Sequence, residues 1–224
     1  MAFIQENPLF AINGKIGKYV VRKFNGKKII ALRPAHYKKT GSKKALVNQN
    51  KFAAVSNLAK VVNSSPLLYG IWKSSRLKGF SPYHKIIKAN MKYTTEDGLS
   101  VFNIIVPPSQ FNFIDDVSLQ NNFLDCKLCC LDKLTQSIRN GRLHLIIVWS
   151  FSKSTESNGG KHSIKLVSNS FALPGNSVAS HLQILLKEDV VALIKNSTRC
   201  VLFIALAWHS CKKWEWNACY AKVI

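Results

Sequence analysis

The chain has 224 residues, 47% of them apolar, and a formal net charge of +21 from 32 Lys and Arg against 11 Asp and Glu. This length fits one large domain or two small ones, and this apolar content excludes a disordered chain. The start lacks the basic and apolar regions of a secretory signal, and the longest apolar run, residues 200–208, falls far short of the roughly 20 residues that cross a bilayer. We expect a protein without a membrane partner that is not secreted by a signal peptide and is either cytoplasmic or incorporated into an assembly such as a virion.

The charge is concentrated in the first part of the chain. Residues 1–95 carry 19 Lys and Arg and one acid, Glu6, whereas residues 96–224 carry 13 Lys and Arg and 10 acids. The change coincides with a turn signal, Glu96-Asp97-Gly98. The composition therefore predicts two domains, a basic hairpin-plus-helices module over 1–95 and a β-rich domain over 96–224.

A β-hairpin and a long helix are the first elements predicted. Residues 18–24 and 27–32 favour strands, and Asn25-Gly26 between them is the strongest two-residue turn signal. After a basic loop over 35–44, a helix is predicted over 42–62. Its apolar residues recur at three- and four-residue steps, which marks one buried face: Phe52, Val55, Leu58, Ala59 and Val62.

Two shorter helices complete the predicted basic module. One covers residues 66–73, and the next begins at Pro82 with Ser81 as its N-cap. Lys85, Lys88 and Lys92 lie together on a polar face of this second helix.

From residue 99 onward the pattern favours strands separated by turn signals. The predicted strands cover residues 100–106, 142–151, 163–169, 180–187, 199–208 and 213–223. Residues 142–151 and 199–208 are apolar at nearly every position, so they should be central strands covered by a second sheet. The region 115–140 fits either a strand with a loop or a short helix, and Asp115-Asp116 is more simply a loop. The pattern predicts an antiparallel β-sandwich and, for the whole chain, an α+β fold.

Four short motifs follow one another in the first part of the chain: Gly14-Lys15-Ile16-Gly17, Asn25-Gly26, Arg33-Pro34 and Gln49-Asn50-Lys51-Phe52. In this order they resemble an uncharacterised, mainly Bacteroidota family classed as a domain of unknown function. The resemblance covers about residues 10–70 and, more loosely, 140–224. It implies an immunoglobulin-like or fibronectin-like sandwich that ends in a strand pair, and it implies no activity. The chain departs from the family pattern in lacking proline in Lys38-Lys39-Thr40-Gly41-Ser42-Lys43-Lys44 and in its many cysteines and tryptophans.

No catalytic or cofactor motif is recognisable in the sequence. Phosphate-loop, dinucleotide-binding, nucleophile-elbow and metalloprotease patterns are absent. Cys126-x-x-Cys129 is half of a zinc site, but neither Cys211 with Cys219 nor His209 completes it with compact spacing, so free thiols are the simpler interpretation. An enzyme would need a pocket uniting His, Cys and the few acids, for instance around 126–132. We expect a non-enzymatic protein with no cofactor, no metal and no small-molecule substrate.

The basic residues form the strongest functional pattern. Phosphate neutralisation by such a surface gives salt-dependent binding without sequence reading, because lysine is a point charge and bidentate base recognition favours arginine. The candidate nucleic-acid-binding residues are Lys15, Lys18, Arg22, Lys23, Lys27, Lys28, Arg33, Lys38, Lys39, Lys43, Lys44, Lys51, Lys85, Lys88 and Lys92. The predicted role is an accessory component of a nucleoprotein assembly, whether a virion, a mobile-element complex or a ribosome-associated particle.

Two other interpretations of the charge stay open. The basic face could dock on an acidic protein, which would make the chain an assembly subunit or adaptor. It could also be a solvated face without a partner, although a lysine-rich composition bias does not explain the near-absence of acids over 95 residues.

Tryptophans near the C-terminus form a second, weaker pattern. Trp214 and Trp216 alternate and so share one face of a strand, with Trp208 shortly before them. Cross-strand packing is the plainer interpretation. The other is an exposed contact patch through which Trp208, Trp214 and Trp216 bind a protein partner.

Overall fold

The chain divides into two compact units, residues 1–42 and 43–224. The structure is a computed structural model that describes residues 2–3, 14–24, 27–33, 41–138, 142–153, 163–174, 179–210 and 213–224. It contains helices and antiparallel sheets, so the predicted α+β class is confirmed.

The first unit is a small antiparallel sheet. Its strands, in the spatial order β1-β4-β3-β2, are β1 (Ala2–Phe3), β2 (Gly14–Ile16), β3 (Tyr19–Phe24) and β4 (Lys27–Leu32). The pairing of β3 with β4 confirms the predicted hairpin. Its Asn25-Gly26 turn and residues 35–40 of the predicted basic loop lie outside the described residues, and Lys43 and Lys44 at the end of that loop belong to the first helix.

The second unit begins with three helices that match the predicted ones closely. They are α1 (Lys43–Ser64), α2 (Pro66–Ser74) and α3 (Pro82–Asn90). Ser81 caps α3 as expected, because its side chain accepts a hydrogen bond from the backbone N–H of His84 and Pro82 occupies the first helical position. The placement of Phe52 on the buried face of α1 is wrong: its side chain is 51% exposed, and Ala54 is buried instead.

The remaining elements form two antiparallel sheets and two short helices. The three-stranded sheet has the order β5-β6-β9, with β5 (Ile114–Gln120), β6 (Phe123–Leu128) and β9 (His181–Leu185). The five-stranded sheet contains β7 (Arg142–Lys153), β8 (Ser163–Pro174), β10 (Arg199–Ser210), β11 (Lys213–Trp216) and β12 (Tyr220–Val223). The helices are α4 (Leu131–Ile138) and α5 (Glu188–Lys195).

The central strands β7 and β10 are buried on both faces, as their continuous apolar sequences predict. Alternate side chains such as Trp149 and Leu202 pack against the three-stranded sheet, α4 and α5. The intervening side chains, such as Val148 and Phe203, pack against α1, α2 and α3. The second unit is therefore three layers deep: helices, the five-stranded sheet, and the three-stranded sheet.

Three predicted features of the β-rich region are wrong. Residues 100–106 form no strand; they run irregularly, with Ile105 and Val106 buried in the core beneath the helices. Asp115-Asp116 lies on β5 rather than in a loop. The last predicted strand is divided into β11 and β12, because Asn217 interrupts the pairing by bonding the backbone of Leu206 with both its own N–H and its side-chain oxygen.

The division into compact units differs from the predicted boundary near residue 95. That boundary followed the change in charge, whereas the compact units follow shared cores. The apolar faces of α1, α2 and α3 have the five-stranded sheet as their packing surface, so these helices belong with residues 96–224.

A buried asparagine pair fixes the irregular segment that follows α3. The Asn90 amide donates to the carbonyls of Ile86 and Ile104, both at 3.0 Å, and its Oδ1 accepts from the Ile104 N–H at 2.7 Å. Asn103 donates to the Asn90 backbone oxygen at 3.0 Å and accepts from the Ser100 N–H at 2.7 Å. These bonds replace the ladder that a strand would have supplied.

Replacing Asn90 by alanine tests this role. Asn90→Ala removes the partner of the half-buried Ile104 backbone and one partner of the buried Asn103 amide, so we expect the free energy of unfolding to fall by about 2–4 kcal/mol in denaturant titration. The control Asn112→Ala removes an exposed amide and should change stability by less than about 0.5 kcal/mol. Equal effects of the two substitutions would contradict the assignment.

Candidate nucleic-acid interface

The outer surface of the helical layer is basic and contains no carboxylate of its own. Residues 43–95 include ten Lys and Arg and no Asp or Glu. Because α1, α2 and α3 turn their apolar sides to the sheet, the cations are left on the outside. The exposed ones are Lys43, Lys44, Lys60, Lys73, Arg76, Lys78, Lys88 and Lys92, and Lys51 is half-buried.

Two acids of the three-stranded sheet form ion pairs with lysines. Among the described residues, the Lys127 ammonium lies 2.8 Å from Asp115, and the Lys222 ammonium lies 3.0 Å from Asp116. Lys222 and the Tyr220 hydroxyl hold the pKa of Asp116 below its usual value. The sheet region thus contains acids that pair with some of its cations, whereas the helical layer has no acid within its own segment.

The N-terminal sheet carries a second group of the predicted cations. Strand register places Lys15, Arg22 and Lys27 on one face of the sheet. Their side chains are exposed, as are those of Lys18 and Arg33. Lys28 is half-buried, and Lys38 and Lys39, like the side chain of Lys23, lie outside the described part of the structure.

Lys85 has a structural role rather than the predicted binding role. Its ammonium donates to the carbonyls of Ser75, Trp72 and Lys73 at 2.7, 3.1 and 3.3 Å, which places a positive charge on the C-terminal end of α2. A Cβ built on Gly79 would lie 2.7 Å from Lys85 Cγ, so the loop after α2 rests directly on the lysine stem. The sequence pattern could not separate Lys85 from Lys88 because both belong to the same helical face.

Exposed aromatic rings lie among the cations of the helical layer. Phe80, between α2 and α3, is 98% exposed, and Phe102 is 68% exposed. The Tyr93 ring lies 6.3 Å from the Phe102 ring, and the Lys92 ammonium lies 4.5 Å from the centre of the Tyr93 ring. Such rings offer flat apolar surfaces beside positive charge. The candidate set of basic residues did not include Phe80 and Phe102, which are aromatic, and it also omitted the exposed cations Lys60, Lys73, Arg76 and Lys78.

The three predicted partner-binding tryptophans do not form one patch. Trp208 is fully buried between the two sheets and donates to Glu215 Oε2 at 3.1 Å, so its predicted contact with a partner is wrong. Trp214 and Trp216 share the opposite face, as alternation predicts, and pack at the edge of the core beneath the helices. The register explains the separation, because Trp208 pairs with Glu215 and not with either tryptophan.

The described cysteines are free thiols spread through the second unit. Cys126, Cys129, Cys130, Cys200 and Cys219 form no disulfide with one another. Burial raises the pKa of the Cys126, Cys200 and Cys219 thiols to about 12. Among the residues that the structure describes, no group of three His, Cys, Asp or Glu side chains could hold a metal ion. Within the same residues, no helix has the length and apolar character needed to cross a bilayer.

Comparison with protein-family models, curated proteins and solved structures finds no match to this chain. The family resemblance therefore stays a prediction.

Removing the Lys85 ammonium should weaken the fold, because the ammonium bonds the carbonyls at the end of α2. Lys85→Met keeps the aliphatic stem but loses the bonds to the end of α2, so we expect unfolding free energy to fall by about 1–2 kcal/mol. Lys88→Met, on the exposed side of α3, should change it by less than about 0.5 kcal/mol. Thermal and denaturant unfolding measure both. A destabilisation by Lys88→Met as large as that by Lys85→Met would refute the distinction.

Thiol reactivity should follow burial. In a Cys211→Ser background, iodoacetamide at about pH 8 should alkylate exposed Cys130 first. It should spare Cys126 and Cys200, whose raised pKa and burial keep them protonated and inaccessible. Peptide mass spectrometry identifies which cysteines are alkylated, and denatured protein serves as the fully alkylated control. Rapid labelling of Cys126 in the folded protein would contradict the packing described.

Proposed function

We propose that the protein is a non-enzymatic binding protein whose basic surfaces contact nucleic acid through its phosphates, without reading sequence. In this role it serves as an accessory component of a nucleoprotein assembly. The observation that carries the proposal is the helical layer, with eight exposed cations and no acid in residues 43–95. Self-repulsion among these cations destabilises the compact state, and a bound polyanion would relieve it.

The kinds of cation present support backbone contact. Seven of the eight exposed cations in the helical layer are lysines, which attract phosphate as point charges and do not form the bidentate pairs that identify bases. Binding of this kind depends strongly on salt and little on sequence.

The exposed rings favour single strands over duplexes. Phe80, Phe102 and Tyr93 lie in the same acid-free layer or directly beside it, and unpaired bases can stack on such rings. Bases in a duplex are already stacked on one another and gain less from these surfaces.

The β-rich layers are assigned to protein contacts within the assembly. The face-to-face packing of two antiparallel sheets supports the immunoglobulin-like sandwich that the family resemblance implies, with the helices as an added layer. In this proposal the assembly is a virion, a mobile-element complex or a ribosome-associated particle.

Two double variants, each of which removes two lysine charges from a different side of the central sheet, test the proposed function. Lys88→Gln/Lys92→Gln removes two exposed cations of the helical layer, and we expect affinity for a labelled single strand at about 50 mM salt to fall about tenfold. The matched control, Lys187→Gln/Lys195→Gln, removes the same charge beside α5, on the other side of the central sheet, and should leave affinity within about twofold. Fluorescence anisotropy with the full chain measures both.

The alternatives give different outcomes in the same assay. Equal losses from the two pairs would mean that net charge alone attracts the strand and that the helical layer is no interface. Tighter binding to a polyglutamate chain than to nucleic acid would favour the adaptor, whose basic face docks on an acidic protein.

A further inference from the structure

A cleft lined by aromatic side chains, prolines and one arginine lies between the end of α2 and the edge strand β11. Its volume is about 590 Å³, which is in the range of small-ligand sites. We call it the tryptophan cleft. Its lining consists of residues 74–77, 107–109, 111 and 214–216.

Aromatic and proline side chains form most of the apolar lining. Trp216 donates from Nε1 to the Pro107 carbonyl at 2.8 Å, and the Ser109 hydroxyl donates to the Trp216 carbonyl at 2.6 Å. These bonds tie the 107–109 segment to β11. Trp214 packs against α2 at Gly70, where a Cβ would lie 3.4 Å from the indole Nε1. The stacking surfaces are therefore held in place before any ligand arrives, which lowers the entropy lost on binding.

The opposite side of the cleft is formed by the loop that carries Arg76. Ser75, immediately before it, is fixed by its own N–H and hydroxyl, which donate to the carbonyls of Ile71 and Trp72, and by the Lys85 ammonium. Arg76 itself is exposed, so a guanidinium fork is available beside the aromatic lining. Glu215, the acid among the lining residues, directs Oε2 to the Trp208 indole.

We infer that the tryptophan cleft receives one unpaired nucleotide of a single strand, with its base against Trp214 or Trp216 and its phosphate on Arg76. This inference rests on the proposed function and deepens it by naming a site and an unpaired nucleotide as its occupant. Charge complementarity favours this occupant through Arg76, the exposed cation of the lining, because Glu215, the acid of the lining, directs its carboxylate to the Trp208 indole. A neutral proline-rich peptide would use the aromatic surfaces and leave the Arg76 guanidinium unused.

Arg76 and Lys78 form a matched pair for the first test. Both are exposed cations of the same loop, but only Arg76 lines the cleft. Arg76→Glu should weaken binding of an unstructured single strand of about 12 nucleotides by about tenfold or more, the loss expected for a charge-assisted bond. Lys78→Glu should weaken it by no more than about threefold. Unchanged thermal midpoints of both variants show that the loop is intact.

The second test observes the tryptophans directly. The chain has five tryptophans, so the indole N–H region of a ¹⁵N-correlation spectrum should hold five signals, assigned by Trp→Phe variants. On addition of the oligonucleotide, the signals of Trp214 and Trp216 should shift. Those of the fully buried Trp72 and Trp149, whose indole N–H groups do not bond a side chain of the cleft, should stay in place.

These experiments distinguish an error in the inferred nucleotide site from an error in the proposed function. Equal losses from Arg76→Glu and Lys78→Glu, or a bound oligonucleotide that leaves the Trp214 and Trp216 signals unmoved, would overturn the cleft and leave the basic surface standing. A proline-rich peptide that shifts these signals while the oligonucleotide does not would also overturn it. No binding of wild-type protein to any single strand would overturn both.

Discussion

The architecture depends on two adjacent strands, β7 and β10, that are apolar on both faces. Neither face of such a pair can be left to water, so one must be covered by a second sheet and the other by helices. Burial of each large side chain contributes about 1.5–3 kcal/mol, and this requirement fixes where α1, α2 and α3 lie. The apolar sides of the helices pack against the sheet, and their cations face solvent. The candidate interface is thus a consequence of the helices covering the apolar face of the sheet.

Much of the second unit could be predicted from local patterns, while its irregular parts could not. Helices α2 and α3 are marked by local capping residues and helical periodicity, and strands β7 and β10 by continuous apolar runs. Because these signals come from neighbouring residues, the predicted bounds of the four elements lie within a few positions of the observed ones. Residues 100–106 have the apolar content of a strand, but the tertiary contact between Asn90 and Asn103 holds them in another conformation. The compact units differ from the predicted boundary for a related reason, since charge changes along the chain where packing does not.

The sequence predicts that the candidate interface is basic, but it predicts only part of which side chains are exposed there. Absence of acids identified the helical layer, but a count of charges cannot tell Lys88, which is exposed, from Lys85, which binds the end of α2. Strand register decides that Trp208 faces the inter-sheet core while Trp214 and Trp216 face the helices. Assuming a hairpin with two residues between Ser210 and Lys213 would have predicted from the sequence alone that Trp208 and the other two tryptophans lie on opposite faces of the sheet. The neighbourhood of Arg76 and the tryptophans joins residues about 140 positions apart, which only the fold brings together.

Salt dependence of binding is the most direct test of the central claim that the acid-free helical layer neutralises phosphates. The affinity of the full chain for an unstructured single strand should be measured between about 50 and 200 mM salt. With about six phosphates neutralised, we expect the logarithm of the association constant to fall with the logarithm of salt concentration with a slope of about −4. A slope near zero, or no binding at the lowest salt, would contradict the account.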